Sequence, residues 1–208
     1  MTTSIETHRP DTGWLKTYYY LRFATAAIWV ALAITLGRYT PPLAAVMLVA
    51  YPAWDALANY LDASRSGGLA RNTSQLLNVV VSIVTAVAVA LALPHGMHEV
   101  LKVFGVWASL SGLLQLVTGG RRWKLCGAQW AMILSGAQSA LAGVFMLKQA
   151  AGPEIVSIAN IAPYAAFGAF YFAVSAVSLT ISDVRRRSKK SRRSLRTAGV
   201  ASSRETNE

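Results

Sequence analysis

The sequence predicts an all-α fold: an integral membrane bundle of six transmembrane helices arranged as three helical hairpins. Three observations lead there. Apolar runs of about 20 residues recur along the chain, the length at which a helix rising about 1.5 Å per residue crosses a hydrocarbon core of about 30 Å. The 208 residues are 54% hydrophobic and only 14% charged, against about 25% charged in soluble domains. Short turns rich in Gly, Pro or Arg separate the runs. The clearest case is 105–148, where two apolar runs flank the basic turn Arg121-Arg122-Trp123-Lys124. Each run carries Trp-Ala followed by Ser-Gly: Trp107, Ala108, Ser111 and Gly112, then Trp130, Ala131, Ser135 and Gly136.

Taken in order, residues 1–13 are polar and lack the short apolar core of a cleavable signal, so they read as a cytoplasmic amino terminus. The transmembrane domain follows at 14–182. Its first span, 14–36, places Trp14, Tyr18, Tyr19 and Tyr20 at the headgroup level that aromatic rings prefer. Pro41-Pro42 opens the second span, 41–61, because proline suits a first helical turn. Asn72 and Gln75 have the spacing of a capping box before the third span, 75–93. The β-branched run Val79-Val80-Val81 sits in an apolar stretch too long for a strand, so helix is the better reading. The fourth and fifth spans cover 100–117 and 125–147. Gly152-Pro153 breaks the chain before the sixth span, 155–181. Residues 183–208 form a basic tail, expected to be disordered.

An even number of spans puts both termini on one side. Sixteen Lys and Arg fall on that side against Arg38, Lys102 and Lys148 on the other. The positive-inside rule therefore predicts cytoplasmic termini in a plasma (inner) membrane. The net charge of +11 is mostly tail: 185–196 holds eight basic residues and no acid. Beside a membrane exit, Arg185, Arg186, Arg187, Lys189, Lys190, Arg192 and Arg193 are expected to contact anionic lipid headgroups rather than nucleic acid.

Lipid tails are as apolar as leucine, so spans associate through small residues and hydrogen bonds. Ser135, Ser139 and Gly143 form one such stripe, and Ala165, Ala169 and Ala173 another; the same faces offer a route to a homo-oligomer. Asn78, Ser82 and Thr85 on the third span, and Ser111, Gln115 and Thr118 on the fourth, read as interhelical glue or as a polar pathway.

The second span carries the most chemistry. Tyr51, Asp55, Asn59 and Asp62 fall on one helical face. Asp55 lies seven residues inside Asp62, and Arg22 lies six inside Lys16, so antiparallel neighbours bring both charges to a depth of about 9–10 Å. A lone charge there is costly, and a mutual pair offsets that cost. Arg22, Tyr51, Asp55 and Asn59 are thus the candidate intramembrane polar site, either a lock between helices or a substrate or proton site. No catalytic pair, P-loop or dinucleotide motif is present, and neither enzyme activity nor a cofactor is expected. The single Cys126 excludes an internal disulfide and a cysteine metal cluster. His95, His98 and Glu99 occupy an outer turn without the partners of a metal site.

The stretch GVWASLSGLLQLVTGGRRWK with WAMILSGAQSALAGVFML, and the last span with its basic end, resemble the HdeD-like acid-resistance membrane proteins. The resemblance covers 78–187. It implies a non-enzymatic multi-pass membrane protein with a role in envelope or acid-stress adaptation. The alternative is a small transporter or channel with its polar site near Arg22 and Asp55.

Overall fold

The structure, a computed structural model, describes residues 12–65, 67–122 and 129–205. Among these there is no strand. The helices are α1 (Thr12–Leu32), α2 (Pro41–Arg65), α3 (Thr73–Ala92), α4 (Met97–Arg122), α5 (Gln129–Ala151) and α6 (Ala162–Glu205). Among the described residues five segments are long and apolar enough to cross a membrane: Gly13–Gly37, Pro41–Arg65, Thr73–His95, Met97–Val117 and Ala162–Arg185. Large apolar side chains such as Ile28, Val46, Val84, Leu113, Leu141 and Phe145 point outward. In water that surface would be a liability; in a bilayer it is the solvated face.

The turns explain the helix ends. A wider π turn, Ala33–Gly37, closes α1, with the Arg38 amide donating to the Ala33 carbonyl. Gly67 takes φ 96° and the Gly68 amide donates to the Ala63 carbonyl at 2.8 Å, the left-handed helix stop that glycine permits. The capping box before α3 does not form as the sequence suggests. Asn72 sits at the N-cap, but its side-chain amide donates back to the Gly68 carbonyl, and Gln75 donates to Asp62.

Packing sorts the helices into three pairs: α4 with α5, α2 with α3, and α1 with α6. The first two are hairpins of consecutive helices. The third closes the bundle between first and last helix, so the arrangement is not three successive hairpins. The α4–α5 seam is built on glycine. A Cβ at Gly112 would lie 2.5 Å from the Gly136 carbonyl oxygen, and one at Gly105 would lie 2.9 Å from that of Gly143. The antiparallel backbones approach closely because glycine leaves no Cβ between them at these positions. Gly143, Ala165 and Ala169, three of the six residues in the two small-residue stripes, are buried within the chain, while Ser135, Ser139 and Ala173 are half-buried.

The apolar core occupies the half of the bundle farthest from the termini. Trp29, Leu48, Val89, Leu101, Phe104, Met146 and Ile161 meet there. Residues 155–161, expected as helix, instead form a cap over this end. Ser157 and Asn160 make a capping box around the turn Ile158–Asn160, and Ile158 is buried against Gly37.

At the other end α6 does not stop near residue 181. It runs to Glu205, although 183–208 reads as a disordered tail in sequence. No proline interrupts that stretch and no glycine before Gly199, while its Lys, Arg, Leu and Ala are good helix formers. Arg185 is exposed on the extension. The side chains of Arg186, Arg187, Lys189, Lys190, Arg192 and Arg193 lie outside what is described, as do residues 1–11, Lys124 and Cys126.

Candidate functional site

In the half nearest the termini the helices draw apart around a cavity of about 350 Å³. Its wall is built from helical faces at i, i+4 spacing. The α2 face supplies Tyr51, Asp55 and Asn59; α4 supplies Trp107, Ser111 and Gln115; α5 supplies Ser135 and Ser139. Asp62, Ser74 and Gln75, at the α2–α3 turn, line the end nearest the termini. Tyr51, Trp107 and Tyr164 line the deep end, where Tyr51 and Tyr164 each meet the Trp107 ring edge-on at 5.9 Å. The cavity is therefore a vestibule with an aromatic floor resting on the apolar core.

Arg22 and Asp55 meet. Arg22 Nη2 donates to Asp55 Oδ1. The other carboxylate oxygen accepts from Ser82 Oγ at 2.8 Å and from Asn59 Nδ2 at 3.0 Å. Arg22 Nη1 donates to the Tyr18 hydroxyl at 3.1 Å, and the guanidinium lies 4.3 Å over the Phe172 ring. The side chains are 12% and 21% exposed. A lone charge at a helix centre costs about 2.5–3.5 kcal/mol on insertion scales. Here each charge has an opposite charge and further hydrogen bonds, the condition under which a low-dielectric pair holds. The cluster ties α1, α2, α3 and α6 together.

The other predicted residues divide. Asn59 supports Asp55 twice, through its carboxylate and through its backbone carbonyl at 2.8 Å. Tyr51 joins the aromatic floor, its ring 4.8 Å from that of Trp29. On α3, Asn78 lines the vestibule and Ser82 holds Asp55, whereas Thr85 bonds the Val81 carbonyl and faces an apolar groove between α3 and α4. His95, His98 and Glu99 stay at the far end: His95 pairs with the Leu91 carbonyl, His98 with that of Glu154, and Glu99 with Lys102. Among the described residues no three metal-ligating side chains gather.

Sequence reasoning passed over several residues of the wall and of the nearby end of the bundle. The Tyr171 hydroxyl donates to Gln138 Oε1 at 2.8 Å, joining α6 to α5. Lys16 and Asp183 pair at 2.6 Å near the end that carries the termini. Tyr164 and Tyr171 sit seven residues apart on one face of α6, but inside an apolar run that spacing does not set a cavity wall apart from a core. Trp107 and Tyr164 within apolar runs look no different from core residues.

The fold and cavity define a helical membrane protein with a polar vestibule in one half. Residues 77–148 match the family described as a short repeat of unknown function (DUF308), to which HdeD-like proteins belong. The matched stretch includes most of α3, all of α4 and the glycine seam with α5. No curated protein and no solved structure matches the chain.

Proposed function

We propose that this is a non-enzymatic multi-pass protein of the inner membrane, with cytoplasmic termini, that admits a small polar solute from the cytoplasm into the vestibule as a transporter or channel does. One observation carries the reading: a polar cavity of about 350 Å³, within the range of small-molecule sites, lies inside an otherwise apolar bundle. The sixteen-to-three split of basic residues supports the orientation. A second reading, a role in envelope or acid-stress adaptation, rests on the resemblance of the chain to HdeD-like proteins; the family matched over 77–148 is itself described as of unknown function.

Cysteine accessibility tests the vestibule. In a Cys126→Ser background, Ser111→Cys should react with a membrane-impermeant maleimide added at the cytoplasmic face of inverted vesicles, and Leu113→Cys, on the lipid side, should not. Equal protection of the two positions would remove the vestibule. Reporter fusions test the orientation. A periplasm-active reporter fused after residue 208 should be silent and one in the 152–154 turn active; the reverse would invert the topology.

A further inference from the structure

The apolar groove between α3 and α4 has a volume of about 370 Å³ and lies at the seam between two of the three helix pairs. Short side chains shape it. Val80, Val84 and Ala88 fall at i, i+4 and i+8 on α3, and Val103, Val106 and Leu110 at i, i+3 and i+7 on α4, so each helix turns one face to the groove. Val80, Val84, Val106 and Leu110 are 46–61% exposed, so the groove opens outward, onto the surface that a bilayer covers. Its lining is apolar apart from Thr85 and Lys102. The Thr85 hydroxyl is spent on the Val81 carbonyl. Lys102 stands at the end away from the termini, five residues into α4, about 8 Å of rise from the start of that helix. A lysine at that depth carries its ammonium out to the headgroup level. The ammonium donates to Glu99 Oε1, and two of its three donors remain.

We infer that this groove is a phospholipid site: it holds one acyl chain of a lipid in the leaflet away from the termini, and the lipid phosphate accepts from the Lys102 ammonium. The match is one of charge and shape together. A phospholipid carries an anionic phosphate at the surface and an apolar chain beneath it. The groove carries a cation at its surface end and an apolar trough running from there toward the middle of the bundle. An acyl chain lying in the trough supplies the dispersion contacts that an open concave lining lacks. A second copy of this chain fits less well. A stable protein–protein interface takes about 20–30 residues a side, and ten residues line this groove. The inference needs only the bilayer and does not depend on the solute reading of the vestibule.

The test uses the full chain in mild detergent and native mass spectrometry, which counts the lipids that each chain keeps. The probes are phosphatidylglycerol and a diacylglycerol with the same tails and no phosphate. Val84→Trp fills the groove from its exposed rim, Lys102→Gln removes the cation, and Glu99→Gln removes the carboxylate that competes for it. The wild type should keep one more phosphatidylglycerol than Val84→Trp. Lys102→Gln should bind phosphatidylglycerol about fivefold more weakly, the effect of one lysine near a charged membrane surface, and bind the diacylglycerol as the wild type does. Glu99→Gln should bind phosphatidylglycerol at least as tightly as the wild type. Melting in lipid-free detergent should be unchanged in all three variants, because the altered side chains lie at the surface. Equal lipid counts for the wild type and Val84→Trp would overturn the site. An equal loss of both lipids in Lys102→Gln, or no loss of either, would overturn the phosphate contact and with it the class of ligand. A lipid-free dimer that Val84→Trp returns to a monomer would overturn the lipid in favour of a second copy of this chain.

Discussion

The two halves of this bundle are built from the same six helices and have opposite interiors. The half away from the termini is filled by Trp29, Leu48, Leu101, Phe104 and Ile161, with Leu101, Phe104 and Ile161 wholly buried. The half near the termini surrounds a cavity lined by amides, hydroxyls and an ion pair. The difference shows how one chain separates a packed end, which holds it together, from an end that encloses polar space. Apolar packing at one end fixes where the helices stand. The other end can then keep polar groups at membrane depth without filling the space between them.

Four substitutions break or sharpen this contrast, ordered from the largest effect. Phe104→Ala, in the packed half, should destabilise by about 3–5 kcal/mol through lost burial and a residual cavity, seen as a fall in the melting temperature of the solubilised protein. Asp55→Ala comes next. Breaking a fully buried pair costs about 3–5 kcal/mol; with 12% and 21% exposure beside a cavity, about 2–3 kcal/mol is expected. The double variant Arg22→Met with Asp55→Leu should recover much of that loss. Strictly additive losses on melting would mean that the two side chains do not cooperate. Lys16→Ala, at the partly exposed mouth, should cost at most about 1 kcal/mol and less at high salt. Ser111→Ala, on the vestibule wall, should stay within about 0.5 kcal/mol. A Ser111→Ala effect as large as that of Phe104→Ala would show that the wall is packed, and the contrast would fail.

How much of this could be read from sequence depends on how much each feature relies on its own residues. The helices were legible because length and apolar content alone decide them. Arg22 and Asp55 were legible because a charge inside an apolar run has few places to go, and their spacing from Lys16 and Asp62 set a common depth. The α1–α6 pairing was not, since it depends on how the bundle closes rather than on either helix. Nor was the cap at 155–161: Ile155, Ile158 and Ile161 continue the apolar pattern of a span, and only the Ser157–Asn160 hydrogen bonds turn the chain aside. Trp107 and Tyr164 were hidden for a related reason, because a ring facing a cavity and a ring facing a core satisfy the same hydropathy. The extension of α6 shows the reverse case, in which local helix preference continues a structure that charge alone suggested would end.

The three-way pairing of helices has a mechanical consequence. Close approach of the backbones at Gly105, Gly112, Gly136 and Gly143 leaves little side-chain layer between α4 and α5 there, so they pack as one blade. With α2–α3 and α1–α6, the bundle has three bodies rather than six rods. The vestibule lies where all three meet: Asp55 belongs to one, Arg22 and Tyr164 to another, Trp107 and Ser139 to the third. The Arg22–Asp55 bond fastens the first body to the second, and Tyr171–Gln138 fastens the second to the third. Any displacement of one body against the others changes the vestibule's volume. The size of the cavity and the relative position of the helices are thereby a single coordinate.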